Sequence, residues 1–175
     1  MADIVVYPNG RLLFRGVFYP CAIGKGGMAA NKQEGDGASP IGAWAMRQLW
    51  LRQDRLPQAY DVQTALPVRI IHPEDGWCDA PDHPAYNTPI RFPFAASAER
   101  MWRDDTLYDL VIALGYNDDP VIAGKGSAIF MHVCRPQYRP TEGCVAVDKR
   151  HLLAMLPHFS TASRVIFSET SGKIS

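Results

Sequence analysis

The chain has 175 residues, 47% of them apolar, which is enough for one compact domain with its own core over residues 1–175. Lys plus Arg equal Asp plus Glu at 18 each, so the balanced charge gives no reason to expect a nucleic acid or an anionic membrane as partner. No stretch reaches the roughly 18 uninterrupted apolar residues of a membrane span, and the first residues carry neither the basic nor the apolar segment of a secretory signal. The expectation is a cytoplasmic protein, or a periplasmic one had a signal peptide been removed.

In chain order, short runs rich in β-branched and aromatic residues, bounded by Gly, Pro, Asn and Asp, dominate. Residues 4–7 and 11–15 flank Pro8-Asn9-Gly10, and the Asn-Gly pair predicts a tight hairpin turn in which both central residues take positive φ. Residues 17–23 form a third strand. Residues 24–40 make a long Gly-rich loop, 68–71 a strand, and 73–93 a second long loop. Long ordered loops in a compact domain tend to line a site. Residues 96–102 read as a short helix with Ser97 as its cap and Glu99 in its first turn. Residues 107–114 and 128–134 are strands, with Asn117-Asp-Asp-Pro120 between them as a plain turn. Residues 148–156 form a short amphipathic helix with Asp148 as N-cap, ending before Pro157, and 164–168 are a last strand. The fold class is mostly β, with a few short helices decorating a sheet. There is no internal repeat.

The chemistry concentrates in Gly124-Lys-Gly-Ser-Ala-Ile-Phe-Met-His132 and, downstream, Thr141-Glu-Gly-Cys144-Val-Ala-Val. A Cys becomes a good nucleophile when an adjacent His withdraws its proton, and a Gly before it lets the backbone turn sharply and bring N–H groups to the reacting carbonyl. His132 is the candidate base, Cys144 the candidate nucleophile and Gly143 the turn. Taken singly, a His ending an apolar strand and a Cys before Val-Ala-Val also suit a packed core. Cys21, Cys78 and Cys134 read as small buried thiols, and no Cys/His spacing suits a metal, so neither metal nor cofactor is expected. Gly24-Lys-Gly-Gly27 lacks the pattern of a phosphate loop.

These segments resemble the L,D-transpeptidase catalytic domain, whose signature is a His upstream of a Ser/Thr-His-Gly-Cys turn. Glu34-Gly-Asp-Gly-Ala-Ser-Pro-Ile-Gly42 is similar to the family's upstream Gly-x-x-Thr/Ser-Pro-x-Gly segment, so the resemblance covers most of the chain. It implies a β-sandwich in which Cys144 is nucleophile, His132 base and Gly143 part of the oxyanion hole. It further implies a peptidoglycan-derived tetrapeptide or muropeptide as substrate. Cys144 would attack the carbonyl between the third stem residue and the terminal D-Ala. Water resolving the thioester makes an L,D-carboxypeptidase, expected of a cytoplasmic member that meets recycled stems; a second stem's amine makes a transpeptidase. Glu142 replaces the family's second His, Ala146 stands where many members have Arg, and eleven residues separate His132 from Cys144, a short loop for the family.

Arg135 and Arg139, on that loop, are candidates for binding stem carboxylates, or are solvated loop residues. Thr141 and Glu142 flank the nucleophile and join the candidate substrate contacts, although a carboxylate there would disfavour a thiolate. Trp77, and with it Tyr86-Asn87, His72 and His83, can wall a peptide groove or anchor a loop to the core. A sortase shares the order of His before Cys but wants an Arg on a neighbouring strand and a Thr-x-Thr-Cys-like turn. A stem-binding module without activity is the non-enzymatic alternative, against which the retention of both His132 and Cys144 speaks.

Overall fold

The computed structural model describes residues 2–57 and 61–171. The chain opens as a meander in which β1 (Ile4–Tyr7), β2 (Arg11–Phe14) and β3 (Val17–Pro20) pair antiparallel in order. Alternation along these strands buries Ile4, Val6, Leu12 and Phe14. Tyr7 pairs with Arg11, so the first loop holds three residues, and of Pro8, Asn9 and Gly10 only Gly10 takes a positive φ, 74°. This departs from the two-residue turn expected of Asn-Gly: Pro8 presets the first corner of a type I turn and Gly10 supplies the left-handed residue that closes it. The two-residue turn is the next one, Arg15-Gly16, with φ of 48° and 82°, disguised in the sequence by an Arg at its first position.

The longest strand is β6 (Gly42–Leu51), reached through the loop that β4 (Met28–Ala29) and β5 (Ser39–Pro40) close on itself. The first half of β6 pairs with β14 (Arg164–Phe167) and the second with β11 (Leu110–Leu114), antiparallel in both cases. β7 (Val68–Ile70) runs parallel beside its end. No strand is expected over 42–51 from sequence, because Ala43, Ala45, Met46, Arg47 and Gln48 are good helix formers; pairing on both edges overrides that propensity.

With β12 (Phe130–Val133) and β13 (Val145–Val147), the main sheet runs β13-β12-β11-β6-β14-β1-β2-β3. Its two wings share one core, since Ile4, Leu12 and Phe167 lie in the same buried cluster as Ile112, Met131 and Val145. The sheet therefore turns over at β6 into two packed layers, the mostly-β sandwich expected. α1 (Lys149–Met155) closes one side, burying Leu152 and Met155, and Asp148 caps it as expected, accepting the Arg150 N–H at 2.8 Å.

The other face of β11 and β12 carries a second cluster of Trp50, Tyr108, Val111, Phe130 and Cys144. Onto it packs a small sheet, β10 (Ala98–Arg100), β8 (Asp75–Cys78) and β9 (Pro89–Arg91), in that order. Two expectations are corrected here. Residues 73–93 contain two strands, and 96–102 hold a strand in place of a helix, with Ala98, Glu99 and Arg100 opposite Cys78, Trp77 and Gly76. A seven-residue helix is marginal on its own, and the edge of β8 offers those backbone groups better partners. Among the described residues no helix is long and apolar enough to cross a membrane.

Candidate active site

β12 and β13 lie in parallel register, with Met131 opposite Val145 and His132 opposite Ala146. One step back along both, Phe130 stands beside Cys144 and its N–H donates to Cys144 Sγ at 3.3 Å. Phe130 and His132 share a face of β12, so His132 is the diagonal neighbour of Cys144 on that face. Both line a cavity of about 350 Å³, and they are only 4% and 7% exposed.

The turn before β13 is built so that only glycine fits at 143. Gly143 has φ 140°, and a Cβ there would sit 2.9 Å from the Ala38 carbonyl oxygen. Thr141 Oγ1 clamps the turn, donating to the Cys144 carbonyl at 2.7 Å and accepting the Gly143 N–H at 3.1 Å. Ser39 Oγ also reaches the Cys144 carbonyl at 3.5 Å while accepting the Gly24 N–H, so the Ala-Ser-Pro segment packs against the turn. The Gly143 N–H, expected as an oxyanion donor, is thus already engaged, whereas the Cys144 N–H makes no hydrogen bond among the described residues.

His132 Nδ1 lies 2.8 Å from the Val133 carbonyl oxygen. A carbonyl only accepts, so Nδ1 carries the proton of the neutral ring and Nε2 keeps its lone pair. The ring packs edge-on against Tyr108, centroids 5.3 Å apart. Burial pulls the His132 pKa down to about 4, against which the Val133 hydrogen bond works. Burial likewise pushes the Cys144 thiol up to about 12, with the Glu99 carboxylate adding to it and the Phe130 N–H opposing. Both groups therefore rest uncharged, and the thiol hydrogen is given to the Ala128 carbonyl at 3.3 Å.

Arg135, Arg139, Thr141 and Glu142 line the same cavity. Arg135 also donates to the Pro140 carbonyl at 3.3 Å, and Glu142 is exposed at the rim, paired with Lys25 Nζ at 2.8 Å. Trp77 does not line this cavity: it packs on Phe130 and Trp50, ring centroids 5.0 and 6.0 Å away, anchoring the small sheet to the core, and borders a separate cavity of about 230 Å³ with Asn87. Tyr86 and Asn87 are buried, and His83 accepts its own loop's Ala85 N–H. Sequence reasoning missed Lys32, Glu34, Asp79, Glu99, Arg103 and Tyr108, which complete the walls. They come from four separate segments and share no local motif. Tyr108 donates its hydroxyl to Glu99, whose carboxyl is pushed up by burial, and Lys32 is held at 2.7 Å from Asp36. Among the described residues no group of three or more His, Cys, Asp or Glu is placed to hold a metal.

The family model of the L,D-transpeptidase catalytic domain (YkuD) matches residues 2–167, nearly the whole chain. No curated protein matches the sequence. Among solved structures the chain is similar to Bd1075 of Bdellovibrio bacteriovorus, at 14% identity and TM-score 0.50, covering 99% of this chain and 50% of that one. It is also similar to the helical cell shape determining protein Pgp2 of Campylobacter jejuni, at 14% identity and TM-score 0.49, over 98% and 48% of the two chains. The chain thus spans about half the length of either, and at such identity the first likeness concerns the fold alone.

Proposed function

The chain belongs to the L,D-transpeptidase catalytic-domain family, and from its site we propose a cysteine acyl-transfer enzyme acting on peptidoglycan stem peptides. The observation that carries this reading is the tautomer of His132: with Nδ1–H committed to the Val133 carbonyl, Nε2 keeps its lone pair free in the cavity that His132 and Cys144 both line. In the proposed reaction Cys144 Sγ attacks the carbonyl joining the third stem residue to the terminal D-Ala as Nε2 accepts the thiol proton. The Cys144 N–H stabilises the oxyanion. Collapse of the tetrahedral intermediate breaks the peptide bond, and His132 returns the proton to the departing D-Ala amine.

Gly143 serves through the turn it permits, and Thr141 through the clamp on that turn. Arg135 and Arg139 are the proposed partners of stem carboxylates, since both border the cavity and present planar donors. Glu142, tied to Lys25 at the rim, borders the acceptor's path. Water is the proposed acceptor. A cavity of about 350 Å³ lies at the low end of ligand pockets, roughly 300–1,000 Å³, which suits the end of one stem and a water better than two stems. With hydrolysis goes a place in the cytoplasm, where released stems are met; cell fractionation tests it.

The deciding experiment incubates the protein and a Cys144→Ala variant with a free tetrapeptide and with a disaccharide tetrapeptide, following products by mass spectrometry. Tripeptide and D-Ala, absent with the variant, are expected. Crosslinked dimers or exchange of the terminal D-residue would make the enzyme a transpeptidase, and turnover of neither substrate would refute the peptidoglycan reading.

A further inference from the structure

Asn87 sits outside the cavity, buried at 5% exposure, yet two consecutive hydrogen bonds join it to Cys144 through one residue, Ala128. Its Oδ1 accepts from Trp77 Nε1 at 3.0 Å and from the Ala128 N–H at 3.0 Å. Its Nδ2 donates to the carbonyls of Tyr116 at 3.0 Å and Asn117 at 2.7 Å. Two acceptor and two donor positions exhaust what a side-chain amide can make. The backbone is fixed too, at φ 56°, with the Asn87 N–H donating to the Cys78 carbonyl at 2.9 Å.

Ala128 is the residue this amide holds. It has φ 53°, a left-handed conformation that alanine adopts only under constraint. Its carbonyl accepts the Cys144 thiol hydrogen at 3.3 Å. The following residue is anchored in the sheet, since the Ile129 carbonyl accepts the Leu114 N–H at 3.1 Å, and Phe130 N–H donates to Sγ from within β12. The backbone of Ala128 is therefore the soft joint between two anchored stretches, and the bond to Asn87 Oδ1 opposes its relaxation.

We propose that Asn87 is a positioning residue for Cys144: by holding the Ala128 N–H it keeps that residue in its left-handed conformation, so that the carbonyl on the other side of the Ala128 Cα directs the thiol hydrogen and thereby fixes where Sγ sits. This rests on the reading of Cys144 as nucleophile. Freed from Asn87, Ala128 relaxes toward an ordinary backbone conformation and its carbonyl turns away. The thiol then loses its acceptor, while the Phe130 N–H still supports the thiolate. Neutral Cys144 is destabilised relative to its ionised form, and Sγ is no longer held in one place.

The test is Asn87→Gly, which removes the amide while tolerating the positive φ at 87. Cys144 is alkylated with iodoacetamide across pH and quantified by peptide mass spectrometry, with the buried Cys21 and Cys78, 4% and 0% exposed, reporting on the fold. The expected result is an alkylation midpoint about one pH unit or more below wild type, a kcat for tetrapeptide lower by about tenfold or more with the smaller part of the change in KM, and Cys21 and Cys78 still protected. Trp77→Phe, which deletes the other bond to Oδ1, should leave the midpoint where it was. An unshifted midpoint in Asn87→Gly with both core thiols protected would overturn the proposal. Should that variant label at Cys21 and Cys78, the wild-type chain decides by amide exchange: an Ala128 N–H exchanging as slowly as that of Leu114 supports the lock, and one exchanging at once refutes it. A wild-type Cys144 that no pH renders reactive would instead remove the nucleophile reading, and this inference with it.

Discussion

The state of His132 makes a prediction about stability that needs no substrate. Its ring is 4% exposed and its pKa is brought from 6.5 down to about 4, first by desolvation. An unfolded chain takes up a proton at this residue near pH 6.5 and the folded one only near 4, so between those values the unfolded state binds more protons and folding weakens as pH falls. The full cost is roughly 3 kcal/mol, of which about 2 kcal/mol is reached at pH 5. Urea unfolding of wild type and His132→Gln, from pH 7.5 to 4.5, isolates it, because every other titrating group is common to both. Wild type should lose about 2 kcal/mol more than the variant between pH 7.5 and 5. Parallel curves would mean that His132 is solvated in the folded protein, and the argument for a neutral, buried base would fail.

If neutral His132 is the base, the acid limb of kcat/KM follows the same group and should have its midpoint near 4, measured on the free tetrapeptide; a limb near 6.5 would point to another base. Gly143→Ala places a Cβ 2.9 Å from the Ala38 carbonyl oxygen at φ 140°, so it should cost roughly 1–3 kcal/mol in urea unfolding and lower turnover by on the order of tenfold or more as the turn shifts. Thr141→Val removes a buried hydroxyl that serves both the Cys144 carbonyl and the Gly143 N–H, and should destabilise by about 1–3 kcal/mol; Thr141→Ser, which keeps both bonds, should remain within about 1 kcal/mol of wild type in the same melts.

What the sequence disclosed and what it hid follow from the range of the interactions concerned. Strands whose residues alternate between core and solvent, as in Ile4 to Tyr7 and Arg11 to Phe14, are legible because the pattern is local. β6 and β10 are illegible for the opposite reason: their residues favour helix or nothing, and partners far along the chain make them extended. The site divides in the same way. Cys144, Gly143 and His132 lie on two short segments that carry a recognisable pattern. The wall that Glu99 contributes comes from the small sheet packed on the second face of β11 and β12, and those of Arg103 and Tyr108 from the segment that joins that sheet to β11, so no local pattern marks them. Trp77 shows the limit of such reading, since an aromatic residue in a Pro-rich segment is as well suited to anchoring as to binding, and only the structure shows that it packs on Trp50 and Phe130 away from the Cys144 cavity.

The two charged partners often drawn in a Cys–His site do not fit this cavity at rest. A thiolate–imidazolium pair forms spontaneously where the imidazole holds its proton more tightly than the thiol does. Here burial drives His132 down and Cys144 up, so the order runs the other way. In the proposed mechanism the proton must therefore move to Nε2 as the S–C bond forms, when the charge passes to the carbonyl oxygen and the Cys144 N–H receives it. Lys32 favours the thiolate while Glu99 and Glu142 disfavour it, so the cavity's own charges leave the balance on the neutral side. On that mechanism the cavity withholds nucleophilicity at neutral pH until a carbonyl occupies it, and the deep burial of Cys144 serves that end.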